Sequence, residues 1–519
     1  MEKREEFGLF ILEKLAEYAK TDRVALINRE DRLTFAQMDA YSDAIAACLL
    51  ARFGAEDRTP VVIYGHKQTE MLPCMYGALK AGRAYVPVDI TVPADRVRDI
   101  LDTVKPKLFI DLADICAGGE IPAELYGQRV DVDTVRQIFA EYAGQKPDAS
   151  YWVQDQDPCY ILFTSGSTGK PKGVPISKAN LDNLYREFSG WVAAVEGAVI
   201  MNQISYSFDV SVVSVYVGMA LGKTLYTIDK GMMENLPELY EHLAASRIAL
   251  WVSTPSFAEM CVVSPRLNAE MMPQMERFIF CGEVLTHKLT AALFERFPGR
   301  AVINTYGPTE ATVLVTAMEV TPAMLEDTRP IPIGIPLSEV RFAIVDEAGK
   351  ELPEGETGEL LIISDNVSAG YFGRPDLTAQ RFFVWEGEGC TKRGYRTGDA
   401  VYRLGAYYYF CGRIDFQVKL NGYRIELEDI ENNMMRVTNV ARAVVLPVSK
   451  DEKIDHLVAF VMLQTPSTLS ALKTGLAIKE ELKQYLPSYM IPRKIVLRES
   501  FPINTNGKVD RKQLAAELK

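Results

Sequence analysis

From residue 60 to residue 306, short apolar runs alternate with stretches whose apolar positions repeat at helical spacing. The runs at 60–64, 84–88, 108–110, 160–163, 198–200, 249–252, 278–280 and 301–306 predict buried strands. Between them, 69–80 and 180–192 read as amphipathic helices, and 210–221 as an apolar one. Ahead of this region, Phe7, Phe10, Ile11, Leu15 and Tyr18 recur at helical spacing, and 33–50 reads as a helix capped by Thr34. Strands alternating with helices of this length imply βαβ units and largely parallel sheets. The polar, irregular segment 116–152 reads as a connection between two such sheets.

From about Asp327 the pattern shortens. Segments 331–336, 341–345 and 358–363 alternate as short strands, and 407–410 closes this β-rich part. Residues 412–417 read as a joint. A hairpin over 417–425 follows, turning at Asn421-Gly422, the dipeptide that a tight two-residue turn demands. A helix at 428–437, strands at 443–448 and 457–463, and a helix ending near 486 then predict a small α+β unit. The expected fold class is α/β. A large N-terminal domain, 1–413, carries two α/β sheets and a β-rich subdomain, and 414–519 forms a small, mobile α+β domain. A chain of 519 residues is too long for one core, which agrees with this division.

Composition narrows the function. A net charge of −12 argues against a general nucleic-acid binder, which needs clustered positive charge. The eight cysteines are scattered and form no C-x-x-C pair, and the four histidines are unpaired, so neither a zinc site nor a disulfide framework is indicated. The apolar run at 9–12 is too short for a signal peptide, and no later run has the length of a membrane span. A cytoplasmic, soluble protein is expected.

The chemistry concentrates in a few motifs. Thr164-Ser165-Gly166-Ser167-Thr168-Gly169-Lys170-Pro171-Lys172-Gly173 follows a predicted strand. Its glycines let backbone N–H groups approach an anion, and its hydroxyls and lysines add donors and charge. It lacks the glycine spacing of a Walker A loop. Tyr306-Gly307-Pro308-Thr309-Glu310 groups an aromatic face, a hydroxyl and a carboxylate on one turn. Tyr395-Arg396-Thr397-Gly398-Asp399 ends in a carboxylate able to take ribose hydroxyls. Asp209 follows Phe208 in an apolar run, where it either holds an ammonium or caps the next helix. Asn506-Gly507-Lys508 forms a basic tip near the C-terminus.

These motifs, with Gly412-Arg413-Ile414-Asp415, Lys419, Gly422 and Tyr423-Arg424-Ile425-Glu426, occur in an order that resembles the ANL superfamily of adenylate-forming enzymes over essentially the whole chain. Segments such as Tyr206-Ser207-Phe208-Asp209 and Phe280-Cys281-Gly282-Glu283 look like the branch that loads D-alanine onto a carrier protein in teichoic-acid D-alanylation. Leu314 and Ser214 depart from the alanine and aspartate expected there. The resemblance implies ATP and Mg²⁺ as cofactors, and two half-reactions at one site. It implies that Thr164, Ser165, Gly166, Thr168 and Lys172 hold the β- and γ-phosphates. Thr309 would contact the α-phosphate and Glu310 would bind Mg²⁺. Tyr306 would stack on adenine beside Asn304 and Thr305, and Asp399 would take the ribose with Arg413 next to it. Asp209, Cys281 and Val313 would contact the amino acid. Catalytic Lys508 would bridge its carboxylate and the phosphate. Asp415 would be the hinge that swings Lys508 out and the hairpin in. The acceptor would be the phosphopantetheine thiol of a separate small carrier protein. A peptide-synthetase adenylation enzyme for another small amino acid and an acyl-CoA ligase are the alternatives, although the latter has no use for Asp209.

Overall fold

The computed structural model describes residues 10–166, 169–193, 195, 198–387, 389–450, 453–502 and 509–518. Two sheets form the N-terminal bulk. The first has six strands in the order Gln128–Asp131, Leu108–Asp111, Val61–Gly65, Tyr85–Asp89, Pro158–Thr164, Lys172–Ser177. All neighbours are parallel except the last pair. The second has nine strands. Its interior runs Ala301–Tyr306, Arg277–Phe280, Ile248–Ser253, Val199–Asn202, Thr224–Thr227, Val24–Asn28, all parallel, and antiparallel strands close both edges. The continuous apolar runs follow from this, because an interior parallel strand is covered on both faces. One core joins the two sheets through the helices between them, with Leu49, Leu72, Ile176, Leu184 and Ile200 all buried in it.

Most predicted elements form within two or three residues of their expected bounds, and the differences have local causes. Thr34 caps the helix Phe35–Phe53 in a reciprocal capping box with Gln37, but Leu33 and Thr34 themselves lie in an edge strand. Segment 116–152 is not merely a connection: it contains the strand Gln128–Asp131 and the helix Val132–Glu141. The strand was hidden because only Val130 of its residues is buried, while Asp131 caps the helix by accepting from Thr134 N. The apolar helix near 210–221 is widened into a π-helical turn over Val213–Gly218. Of 331–336, Ile335–Pro336 alone pairs as a strand, because Pro330, Pro332 and Pro336 interrupt the N–H ladder.

The β-rich part is a five-stranded sheet containing Arg341–Val345, Gly358–Ile363, Phe382–Gly387, the long strand Cys390–Leu404, and Tyr407–Arg413. The hairpin Gln417–Leu420/Tyr423–Glu426 follows, with Asn421 and Gly422 at φ 52° and 84° in its turn. Beyond it, the helix Leu427–Met434 packs on a sheet of Val440–Lys450, Lys453–Leu463 and Lys494–Leu497. Ile425, Ile430, Val445, Ala459 and Leu482 give this last part a core of its own.

The helices Phe35–Phe53 and Met71–Lys80 touch at Gly77, where an added Cβ would lie 2.5 Å from Ile45 Cβ and 2.8 Å from the Ser42 carbonyl. Gly77→Ala should therefore destabilise the protein by ~1–3 kcal/mol through overpacking, despite a helix-propensity gain of about 1 kcal/mol. Urea unfolding measures this, and an unchanged or raised midpoint would show that the two helices can part at little cost.

Candidate active site

A cavity of about 380 Å³ lies where strand ends of both large sheets meet the C-terminal hairpin, and is lined by Thr164, Ser165, Asp209, Thr309, Asp399 and Lys419 among others. Thr164 ends one parallel strand, Tyr306 ends another, and Cys281 directly follows a third. Ligands of open α/β sheets gather at such carboxyl ends, where the chain leaves the ladder and its side chains and amides turn outward.

On one side, the Tyr306 hydroxyl donates to Asp399. Arg413 Nη1 donates to the other Asp399 oxygen at 2.6 Å, and Arg413 Nε reaches Asp415 at 2.6 Å. Asp399 sits on the long strand Cys390–Leu404, after Gly398 at φ 73°. Asn304 Nδ2 donates to the Pro332 carbonyl at 2.7 Å, and Thr305 Oγ1 to the Phe280 carbonyl at 2.8 Å. Thr305 thus ties two strands together.

On the loop side, Thr164 Oγ1 is buried with no hydrogen-bond partner among the described residues. An added Cβ on Gly166 would lie 2.2 Å from the Lys170 carbonyl, so only glycine lets this loop fold back on itself. Thr168 and Lys508, both expected to act here, lie outside the described residues. Glu310 is fully buried, accepting from Tyr371 OH at 2.8 Å and from Arg424 Nη1 at 2.5 Å. Burial pushes its carboxyl up, but the Arg424 and Lys172 charges outweigh it and bring it down to about 2. Burial lowers Lys172, whose ammonium meets Glu426 at 3.2 Å. Among the described residues no cluster of three or more His, Cys, Asp or Glu could cage a metal. Magnesium held through one carboxylate plus a ligand's phosphates needs no such cage, so Glu310 fits it.

On the third side, Asp209 accepts from Thr309 Oγ1 at 2.7 Å. Burial pushes its carboxyl above the ordinary aspartate value, against the pull of that hydroxyl. Cys281 is buried, its Sγ 3.8 Å from the Val313 carbonyl, and burial pushes its thiol up to about 11. Thr312 and Val313 both have left-handed φ, 59° and 72°, and Leu314 N bonds back to the Thr312 carbonyl at 2.8 Å. Two β-branched residues in that region are strained, and this turn sets where the Val313 carbonyl points. Ser214 spends its hydroxyl on the Met201 carbonyl at 2.9 Å.

The hairpin closes the cavity with Lys419, Asn421, Gly422, Tyr423 and Arg424. Tyr423 stacks on Tyr489 at 3.7 Å and meets Phe208 edge-on at 4.9 Å. Gly422 abuts Thr254, whose Cγ2 would be 2.5 Å from an added Cβ. The same cavity is also lined by His66, Asp89, Ser205, Lys230 and Ser488, with His66 Nδ1 and Ser205 Oγ at 2.7 and 2.6 Å from Asp89. Sequence reasoning gave no role to Arg424, Glu426, Tyr371 or this His66–Asp89–Ser205 group. Arg424 and Glu426 stood in a quoted motif. Tyr371 carries no pattern that separates it from any other buried tyrosine.

Residues 12–372 match the AMP-binding enzyme family, and residues 429–508 match the AMP-binding enzyme C-terminal domain. A D-alanine–D-alanyl carrier protein ligase of Bacillus cereus is 41% identical over 98% of this chain and 99% of its own length. One from Bacillus mycoides is 40% identical over 98% and 99%. Among solved structures, o-succinylbenzoate CoA synthetase from Bacillus subtilis has a TM-score of 0.82 at 19% identity, covering 98% of this chain and 99% of that one. The Vibrio cholerae adenylation domain AlmE, in complex with glycyl-adenosine-5'-phosphate, has a TM-score of 0.77 at 23% identity, covering 98% and 97%.

Glu310 makes an acid-side prediction. Its folded pKa, about 2, lies below the ordinary 4.5, so its contribution to stability is complete above pH 4.5 and is lost as pH falls towards 2. In Glu310→Gln the slope of unfolding free energy against pH across that window should be shallower, by up to about 1.4 kcal/mol per pH unit. Urea titrations of both proteins at a series of pH values test it, and parallel acid limbs would show that Glu310 is not held ionised.

Proposed function

The chain belongs to the AMP-binding enzyme family, and from that premise we propose that it activates D-alanine with ATP and passes it to the phosphopantetheine thiol of a separate carrier protein. The observation that carries this reading is Asp209: a half-buried carboxylate, pushed up by desolvation and held by Thr309, in the same cavity as the anion-ready loop. Such a group gains from a cationic ligand, and a fatty or aromatic acid offers none. The 41% identity to D-alanine–D-alanyl carrier protein ligases over nearly the whole chain supports the choice of amino acid and of acceptor.

In the first half-reaction a carboxylate oxygen of the amino acid bonds to the α-phosphorus of ATP as the bond to pyrophosphate breaks. Positioning and charge neutralisation supply most of such catalysis. Thr164, Ser165, Gly166, Thr168 and Lys172 hold the outer phosphates, and the partnerless Thr164 hydroxyl suits that task. Glu310 would hold Mg²⁺, which would supply neutralisation of phosphate charge. Tyr306 stacks on adenine, Asn304 offers its amide oxygen to the exocyclic amine, and Asp399, held by Arg413, takes the ribose. Thr309, bonded to Asp209 and next to Glu310 in the sequence, contacts the α-phosphate. Lys508 neutralises the attacking carboxylate and the phosphate together. Asp209 and the Val313 carbonyl hold the ammonium, and Cys281 borders the α-substituent.

In the second half-reaction a thiolate attacks the acyl carbonyl and AMP leaves with the bridging oxygen. The division into 1–413 and 414–519, with Asp415 as the hinge, allows Lys508 to withdraw while the hairpin moves in. The docked hairpin, which closes the cavity with Lys419, Gly422 and Tyr423, is the arrangement suited to this step. A cytoplasmic location suits an ATP-consuming enzyme whose eight cysteines are free thiols. Among the described residues no helix is long and apolar enough to cross a membrane.

Pyrophosphate exchange with a panel of D- and L-amino acids tests the substrate, and exchange strongest with D-alanine is expected. Exchange with none, alongside coenzyme A acylation by simple carboxylic acids, would replace this reading with an acyl-CoA ligase. Cys281→Ala should gain activity mainly with L-alanine, narrowing a preference of roughly tens- to a hundredfold. An unchanged ratio of kcat/KM for the two enantiomers would remove Cys281 from chiral selection. Lys508→Ala should lose adenylation by about a hundredfold or more while transfer from supplied adenylate survives better. Equal losses in the two assays would count against two alternating arrangements.

A further inference from the structure

A set of buried polar contacts beside the cavity has no part in the reaction as proposed. The strand Ala301–Tyr306 runs into the turn that carries Glu310, Thr312 and Val313. Two groups of this turn are tied to one segment, 364–368, which follows the strand Gly358–Ile363. Thr312 Oγ1 donates to the Asn366 carbonyl at 2.6 Å, and Ser368 N donates to the Glu310 carbonyl at 2.8 Å. The segment is held in turn by the helix Lys178–Ala193 and the strand before it. Asn183 Nδ2 donates to Asn366 Oδ1, Asn180 Nδ2 to the Asp365 carbonyl and Ser368 Oγ to the Pro175 carbonyl, each at 2.6 Å. Thr312, Asn366, Ser368 and Asn183 are all buried.

The Thr312 hydroxyl acts where the backbone is most strained. Thr312 and Val313 stand at φ 59° and 72°, the left-handed region that β-branched residues avoid. Relaxing either residue out of that region re-aims the Val313 carbonyl. That carbonyl lies against Gly307, where an added Cβ would be 2.6 Å from it, and its oxygen is 3.8 Å from Cys281 Sγ. Gly307 and Gly282, the residue after Cys281, both line the cavity. The direction of the carbonyl therefore matters at the cavity wall, while the bond that secures it is made in the core. Packing alone does not call for this chemistry. Asn366 Nδ2 is buried with no partner among the described residues, and two apolar side chains of like shape would cost less than an Asn183–Asn366 pair with a donor left over.

We propose that Thr312 is a positioning residue for the amino acid: its hydroxyl, anchored through the Asn366 carbonyl and Asn183, holds the strained turn so that the Val313 carbonyl accepts from the substrate ammonium alongside Asp209. The inference rests on the amino-acid activation proposed above. Thr312 itself touches no reacting atom and acts only through Val313. The two acceptors differ in what they select. Asp209 supplies charge, which any cation satisfies, whereas a carbonyl of fixed direction supplies an angle, which only some amino acids and one enantiomer meet well. Glu310, in the same turn, keeps its own ties to Ser368 N, Tyr371 and Arg424, so loss of the Thr312 hydroxyl should leave the ATP side in place.

The test is pyrophosphate exchange by the full chain with D-alanine, reading KM for D-alanine, KM for ATP and kcat separately. Thr312→Val keeps the branched shape and removes the hydroxyl. It should raise KM for D-alanine by about tenfold, the size expected for one lost buried hydrogen bond, with KM for ATP and kcat little changed. It should also narrow the ratio of kcat/KM between D- and L-alanine. Thr312→Ser keeps the hydroxyl and should return KM for D-alanine towards the parent value. Asn183→Ala, one bond further out, should raise KM for D-alanine by about threefold, and it carries the test if thermal melting shows that Thr312→Val is not folded. A parent-like KM for D-alanine in the folded variants overturns the inference alone, as does a loss shared equally by D-alanine and ATP, which is what a merely structural role would give. No amino-acid-dependent exchange by the parent overturns it together with the function on which it rests.

Discussion

The architecture of the site follows from one constraint: Glu310 is fully buried yet ionised, and so must always have positive charge against it. In the arrangement seen here Arg424 and Lys172 supply that charge, and Tyr371 fixes the carboxylate's direction. The arginine comes from the C-terminal hairpin and the lysine from the start of the strand Lys172–Ser177. One carboxylate therefore couples the two large sheets to the last part of the chain. Other contacts fix the same arrangement, including the buried pair Arg96–Asp429 at 2.5 Å and the Tyr423–Tyr489 stack beside Phe208.

Around this carboxylate the cavity walls differ in how their polar groups are held. One side is a chain of hydrogen bonds, Tyr306–Asp399–Arg413–Asp415, that holds each polar head in place. The Asp209 side instead leaves that carboxyl raised by desolvation with a hydroxyl for company, so it can exchange a neutral neighbour for a charged one. The strained turn at Thr312 and Val313 belongs to this side. Left-handed backbone at two β-branched residues persists only where packing enforces it, and here Thr312 and Leu314 are completely buried. The expense in strain aims a carbonyl that neither an unstrained turn nor a side chain at those positions would place against Cys281.

The sequence by itself determined the alternation of strands and helices, because a parallel strand covered on both faces must be apolar throughout, and a helix must show its 3.6-residue period. It also determined the loop at 164–173, the Asn421-Gly422 turn and the Thr34 cap, where glycine, asparagine and threonine meet local backbone demands. The family could be read from motif order alone; of the residues named with it, Asp209, Thr309 and Asp399 line one cavity, and Glu310 is bonded to Arg424 of the same lining. Only the tertiary structure decided which partners those groups keep. Strand Gln128–Asp131 needed Leu108–Asp111 beside it, since one buried residue makes no pattern. Ser214 reads as a free hydroxyl until Met201 is brought against it. Arg424 and Glu426 read as an exposed alternating hairpin until that hairpin meets Glu310 and Lys172, 114 and 254 positions away along the chain. Local rules act over a few residues, whereas the pairing of buried charges is settled by distance in space.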